Sequence, residues 1–242
     1  ALQGDFGIIY QNSLPVGQVV ADRIPATIAL GLFGWVFALV IAIPTGVYAA
    51  VRKDELGDHV SRFAALSGIS IPNFWLGLML ILFGSLMLGL WPVQPPRKPL
   101  WHPDMLWFLV LPGITIGTAS ASTLMRIMRT SMAEEMNKEY VTAARAKGLP
   151  ETPIRYKHAL RNTLIPVITV LGLQLGSLIG GAVLREAVFS WPGLGTTLIT
   201  AINARDWPIL QGSLVVIGCS FVIVNIVVDA IYGYLDPQVV TE

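Results

Sequence analysis

Apolar residues in this chain neither alternate nor keep to one helical face. They run in long uncharged stretches over 26–51, 63–96, 105–125, 162–184 and 207–228, the shortest of them 21 residues. A helix rising about 1.5 Å per residue crosses the hydrocarbon of a bilayer in about 20 residues. The pattern therefore predicts an all-α membrane protein with five spanning helices. Helices of soluble proteins average about 11–12 residues, and barrel strands alternate in segments of about ten, so neither alternative matches. The predicted spans are 26–51, 63–91, 105–129, 162–184 and 207–231. Residues 1–25 then form an outer segment, 130–161 a large loop and 185–206 a second outer loop, all in one transmembrane domain.

Breakers refine these spans. The second run is too long for one straight helix; Pro72 is expected to kink it near 69–73, and Trp91-Pro92 to end it. Pro44, Pro112 and Pro166 also fall in or at the ends of apolar runs, where neighbouring polar groups must satisfy the freed carbonyls. Gly172, Gly176 and Gly180 share one face of the fourth span, which suits close approach of another backbone or, alternatively, a substrate-lining surface.

Composition agrees with a membrane environment. The chain is 54% hydrophobic and 13% charged, about half the usual charge, with a mean hydropathy of +0.65. A net charge of +1, with no basic patch among aromatics, gives no reason to expect nucleic acid. The single Cys219 lies in an apolar run, which excludes a disulfide framework within the chain. His59, His102 and His158 fall in different loops, so no metal is expected. No nucleophile–base pair and no phosphate loop of the Gly-x4-Gly-Lys-Ser/Thr kind is present, so the chain is not read as an enzyme.

Charge sets the orientation. Regions on one side hold Arg23, Arg97, Lys98, Arg185 and Arg205, five basic residues; those on the other hold Arg52, Lys53, Arg62, Arg126, Arg129, Lys138, Arg145, Lys147, Arg155, Lys157 and Arg161, eleven. The richer side is cytoplasmic by the positive-inside rule. The N-terminus then lies outside and the C-terminus inside. Trp91, Trp101 and Trp107 bracket the first outer loop, and Trp191 and Trp207 the second, as expected of side chains at the headgroup level.

The cytoplasmic loop carries its own punctuation. Asn137 is expected to cap a helix of about ten residues over 138–147, with Glu139 in its first turn, Arg145 and Lys147 in its last, Gly148 just past its end and Pro150 beyond. A second short helix is expected from Thr152, with Pro153 at its first position, leading into the fourth span. Ala143, Ala144 and Ala146 make the first helix narrow, a surface suited to a partner's groove; a solvated connector is the alternative.

Here the chain resembles a known family. The stretch Glu139-Tyr-Val-Thr-Ala-Ala-Arg-Ala-Lys-Gly148-Leu149, followed by Lys157-His-Ala-Leu-Arg-Asn162, is similar to the coupling loop of the "B"-type permease subunits of ATP-binding-cassette importers for peptides and nickel. Gly4-Asp-Phe-Gly7, Arg23-Ile-Pro-Ala-Thr27, the segment from Ser67 to Leu76, Pro166 to Gln174, Phe189-Ser-Trp-Pro-Gly-Leu-Gly195, Ala204-Arg-Asp-Trp-Pro208 and Leu235-Asp-Pro237 match in the same order. Where the broader importer motif has Glu this chain has Thr142, and where that motif later has Pro it has Arg161. The carboxylate that could pair with an ATPase subunit is thus missing, and Glu139 is the available substitute.

The resemblance implies a type I importer fold, of which these would be spans two to six, the first being absent from the chain. It implies a homologous second permease subunit, two ATP-binding subunits that hold ATP and Mg, and an extracytoplasmic solute-binding protein. Glu139, Tyr140, Thr142, Ala143, Ala144, Arg145, Ala146, Lys147, Gly148 and Leu149 would couple to the ATPases. Trp191, Pro192, Gly193, Arg205, Asp206 and Trp207 would face the binding protein or gate the outer side. Polar side chains at membrane depth, Asn73, Ser120, Ser122, Gln174 and Asn225, are the pathway candidates. Asp229 is the carboxylate near a span's end. A channel or secondary transporter is the rival reading; it would require paired broken helices or intramembrane charges. The cargo, whether dipeptide, oligopeptide, nickel chelate or oligosaccharide, is not encoded in these motifs.

Overall fold

The long apolar runs form long helices, several of which continue through an internal proline or glycine. The structure, a computed structural model, describes residues 6–10, 14–180 and 182–235. The expectations for Gly4, Asp5, Asp236 and Pro237, for the packing on Gly176 and Gly180, and for the Asp229 side chain lie outside the described residues. In chain order the helices are α1 (Val16–Val51), α2 (Leu56–Ser70), α3 (Asn73–Leu80), α4 (Pro103–Phe108), α5 (Val110–Glu135), α6 (Glu139–Ala146), α7 (Glu151–Pro153), α8 (Leu160–Gly180), α9 (Ala182–Val188), α10 (Leu194–Ala204) and α11 (Trp207–Leu235). Wide π turns extend α3 over Ile81–Met87 and join α7 to α8 over Ile154–Ala159. Among the described residues the only β pairing is one isolated bridge, Ile8 to Pro15.

Several boundaries differ from those expected. Helix α1 starts at Val16, ten residues before the predicted span, and runs through Gly17 and Pro25 into the apolar run. It continues through Pro44, and the Thr45 hydroxyl donates to the Ile41 carbonyl at 2.5 Å beside the site the proline disrupts. The kink at Pro72 is a full break: Ile71 is extended (φ −77°, ψ 124°), the conformation that a following proline favours. Trp91-Pro92 does not end α3. The helix stops at Met87, and Gly89 takes the left-handed conformation at φ +65°.

Among the described residues, two helices are long and apolar enough to cross a membrane, Val16–Val51 and the segment Trp207–Val228, or three if α2 and the extended α3 are one bent span. This differs from the five expected. In α5, glycine and hydroxyl residues such as Gly113, Thr115, Gly117, Thr118, Ser120 and Ser122 dilute the apolar content, and Arg126 and Arg129 follow.

The chain divides into two compact units. One comprises Trp35–Pro72 and Gly117–Gly172. Its core sets small residues of α1, Ala38, Ala42, Ala49 and Ala50, beside Leu124, Met128 and Met132 of α5 and Val167 and Leu171 of α8. The contact is close: a Cβ on Gly46 would lie 2.6 Å from the Met128 side chain. Small residues in this role are the ordinary means of helix contact in lipid, where apolar burial gives no advantage. The other unit comprises Ala1–Gly34, Asn73–Ile116 and Leu173–Glu242. Within it Ala26, Leu30, Met105, Phe108, Phe189 and Trp191 form one cluster, and Val16, Val20, Leu194, Ala201 and Ile209 another.

Candidate functional site

Helix α6 stops as the sequence predicts and starts differently. Gly148 has φ +77°, its N–H donates to the Arg145 carbonyl at 2.9 Å, and the Leu149 N–H donates to the Ala144 carbonyl at 3.2 Å. That bonding pair closes a helix on a left-handed residue, which glycine adopts without a Cβ penalty. At the start, Lys138 and not Asn137 is the cap residue. The Asn137 amide donates instead to the Ala133 carbonyl at 2.9 Å, at the end of α5. The next helix likewise starts at Glu151 after Pro150, so Thr152 is not its cap and Pro153 lies at its third position.

The faces of α6 divide by size. Val141 is fully buried, whereas Glu139, Thr142, Ala143 and Ala146 are exposed at i, i+3, i+4 and i+7, which places them on one face. Tyr140, Lys147, Gly148 and Leu149 are exposed as well, and Ala144 is half-buried. Arg145 pairs with Glu151 at 2.7 Å, and Arg155 pairs with the same carboxylate at 3.3 Å. The Arg145 charge is therefore already matched within the chain. Glu139 has no ion pair among the described residues.

What fixes α6 to the bundle is Glu135, which the sequence did not single out. Its Oε1 accepts from the Asn162 amide at 2.8 Å and from the Tyr140 hydroxyl at 2.9 Å, and its Oε2 meets Lys138 Nζ at 2.6 Å. One buried carboxylate thus joins the end of α5, the start of α6 and the start of α8. Burial pushes the Glu135 carboxyl up, but the bonds from Lys138, Asn162 and Tyr140 outweigh it and hold the group below the usual range.

In the same unit Asp58 is fully buried and forms a bidentate pair with Arg129, with Nε to Oδ1 and Nη2 to Oδ2 both at 2.5 Å. The Asp54 N–H adds a third bond to Oδ2 at 3.0 Å. The Arg129 guanidinium, against the opposing cost of burial, lowers the Asp58 pKa to about 2.

The outer-loop candidates are built around a second unforeseen carboxylate. Glu186 is fully buried. Its Oε1 accepts from the Thr27 hydroxyl at 2.6 Å, and its Oε2 from the N–H groups of Gly195 at 2.7 Å and Thr196 at 3.2 Å. The Thr27 oxygen accepts in turn from the Leu194 N–H at 2.9 Å. Together Thr27 and Glu186 satisfy the first three N–H groups of α10, donors that a helix start otherwise leaves unpaired. Burial pushes the Glu186 carboxyl up, and these hydrogen bonds pull it part of the way back. Gly193 and Gly195 are required here, since a Cβ on either would strike Glu186 or the Val183 backbone.

Trp191 is not an interfacial residue. It is fully buried, stacks on Phe108 with centroids 5.7 Å apart, and donates from Nε1 to the Ala26 carbonyl at 2.8 Å. Its ring is therefore unavailable to a binding protein. Gly193 is also buried, and Asp206 is buried with its Oδ2 accepting from the Tyr10 N–H at 2.9 Å. Pro192, Arg205 and Trp207 are the exposed members of this set. A cleft of about 340 Å3 in this unit is bordered by Arg23, Pro192, Thr197, Thr200 and Asp206. Trp101 and Trp107 are exposed as expected, and Trp91 stacks on Trp107 at 5.1 Å.

The pathway candidates are divided between the two units. Asn73, Gln174 and Asn225 belong to one unit, Ser120 and Ser122 to the other. Two of them bond locally: Asn225 donates to the Phe221 carbonyl at 2.8 Å and Ser122 to the Thr118 carbonyl at 2.8 Å, each four residues back on its own helix. Among the described residues no three His, Cys, Asp or Glu side chains are placed to hold a metal ion.

Comparison with known proteins agrees along the whole chain. Residues 42–241 match the family model described as binding-protein-dependent transport system inner membrane component. The dipeptide transport system permease protein of Escherichia coli strain K12 is 37% identical, over 98% of this chain and 77% of that protein. Its counterpart in Haemophilus influenzae is 40% identical, over 98% and 78%. The glutathione transport system permease protein of Escherichia coli is 37% identical, over 99% and 76%. Among solved structures, the inward-facing MetNI methionine ABC transporter superposes with a TM-score of 0.68 at 18% identity, covering 90% of this chain and 97% of that one. An amino acid ABC transporter superposes at 0.60 and 14% identity, covering 91% and 94%. At these identities the structures speak for the fold alone.

Proposed function

Because the chain belongs to the family of binding-protein-dependent transport system inner membrane components, we propose that it forms half of a pathway for di- or oligopeptides, driven through α6 by separate ATPase subunits. Its established part is coarser: it is an all-α, multi-pass inner-membrane subunit of an ATP-binding-cassette importer, a permease and not itself an ATPase. The observation that carries the peptide assignment is 37–40% identity, across 98% of the chain, to permeases of dipeptide systems. The glutathione relative, whose named cargo is a tripeptide, supports the same class.

In this reading the chain spans the membrane five times, at 26–51, 63–91, 105–129, 162–184 and 207–231, with its start outside and its end inside. The eleven-to-five distribution of basic residues supports that orientation. A homologous second permease completes the pathway, two ATPase subunits supply ATP and Mg on the cytoplasmic side, and a solute-binding protein docks on the outer side. The exposed face Glu139, Thr142, Ala143 and Ala146 enters a groove of an ATPase, with small side chains allowing close approach. Glu139 offers the free carboxylate that the Thr142 position lacks. Movement of α6 then reaches α5 and α8 through Glu135, and packed helices transmit it as a rigid-body shift. Pro192, Arg205 and Trp207 offer the outer docking surface, held in place by the Glu186 cradle.

The test is peptide uptake into proteoliposomes containing both permeases, with ATPase subunits and binding protein added or withheld. Uptake is expected only when all are present with ATP. Flux that proceeds without the ATPases would favour a secondary transporter or channel.

A further inference from the structure

The unit containing Asp58 has a cleft of about 300 Å3 between α2 and α5 that the transport reading leaves unassigned. Its lining is divided by chemistry. Arg62, Arg126 and Arg129 border it, and Leu66, Ile69 and Met125 supply the apolar surface. Along α2, Arg62, Leu66 and Ile69 follow at i, i+4 and i+7 and so share one face. The cation therefore sits about 10 Å along the helix axis from Ile69. Leu66 and Ile69 are 59% and 44% exposed, apolar surface left open among the described residues.

The charges are unequal in their partners. Arg129 is matched by the buried Asp58. Arg62 and Arg126 are exposed and have no ion pair among the described residues. Asp58 is also in the field of Arg62, and Asp54 adds a weaker negative field at Arg129. Arg129 is thus committed to the buried Asp58, while Arg62 and Arg126 border the apolar slot as exposed cations.

We propose that this cleft binds an anionic phospholipid of the cytoplasmic leaflet, its phosphate held by Arg62 and Arg126 and the upper part of one acyl chain lying on Leu66, Ile69 and Met125. Guanidiniums match phosphate geometry, and basic pockets between helices on the cytoplasmic side suit anionic headgroups. A free anion would use the arginines but leave the apolar half of the cleft uncovered. The assignment of the leaflet rests on the orientation given above.

The test uses the assembled importer, stripped of lipid and exposed to phosphatidylcholine vesicles containing phosphatidylglycerol, with retained lipid counted by native mass spectrometry. Arg62→Gln and Arg126→Gln are each expected to weaken phosphatidylglycerol retention about fivefold, and the pair about twenty-five-fold. Lysine at both positions should restore most of it, which separates charge from packing. If the double variant does not assemble, the single variants give the same reading. Equal retention by wild type and the glutamine variants would overturn the proposal. So would complete displacement by millimolar inorganic phosphate, which would mark a free-anion site, or retention of neutral lipid in the same number. Equal retention of phosphatidylglycerol and phosphatidylcholine by the wild-type importer, with ATP-driven uptake intact, sinks the lipid site alone; selective retention with ATP-independent flux sinks the importer reading alone.

Discussion

Replacing Glu186 by alanine is expected to lower the stability of the chain by ~3 kcal/mol or more, because the Gly195 and Thr196 N–H groups and the Thr27 hydroxyl lose their acceptor in a buried setting. Each unsatisfied buried donor costs roughly 1–3 kcal/mol, and water does not readily replace the carboxylate here. Glutamine is expected to fall between the two, since its carbonyl still accepts while its amide group faces donors. Thermal unfolding of the purified complex in detergent reads the effect. A midpoint for the alanine variant equal to that of wild type would show that the cradle does not hold the start of α10.

The second large effect is expected at Asp58. Its removal leaves Arg129, only 15% exposed, without its counter-charge, and breaking a buried pair from one side costs roughly 3–5 kcal/mol. The same pair makes stability depend on pH. The Asp58 pKa is depressed in the folded chain, from 3.8 to about 2. Its contribution is therefore fully present above about pH 4 and is lost as pH falls toward 2, amounting to roughly 2 kcal/mol. Melting midpoints taken from pH 6 down to pH 3 should fall more steeply for wild type than for Asp58→Asn, which has no such group to titrate. Parallel curves would remove Asp58 from the account.

These two carboxylates mark where the sequence stops being readable. Partners of Asp58 and Glu186 lie 71 and 159 residues away along the chain, at Arg129 and Thr27. No local spacing connects them, and in a count of loop charges they look like any other acidic residue. Glu135 has the same difficulty on a smaller scale, with Asn162 27 residues on. Local signals fared better because their causes are local. Gly148 and Pro150 mark the end of α6 because only a left-handed residue closes the helix there, and Pro72 forces Ile71 out of the helix. The cap differs because Asn137 has a competing carbonyl within reach at Ala133 and donates to it. Trp191 misled for a different reason. Aromatics at span ends commonly lie at the headgroup level, yet Phe108 and the Ala26 carbonyl give this one a buried place. The long apolar runs showed a membrane protein, while the polar dilution of α5 kept it from qualifying as a span on apolarity alone.

The most direct measurement of the account is made on the importer assembled with Ala143→Trp. Ala143 is exposed on α6, so the new ring is placed on the face proposed to enter a partner's groove. Binding-protein-stimulated ATP hydrolysis and peptide uptake are both expected to fall about tenfold or more, a loss within the ordinary range of coupling energies, while the permease pair still assembles. Stimulated hydrolysis and uptake at wild-type levels would contradict the claim that α6 carries the drive.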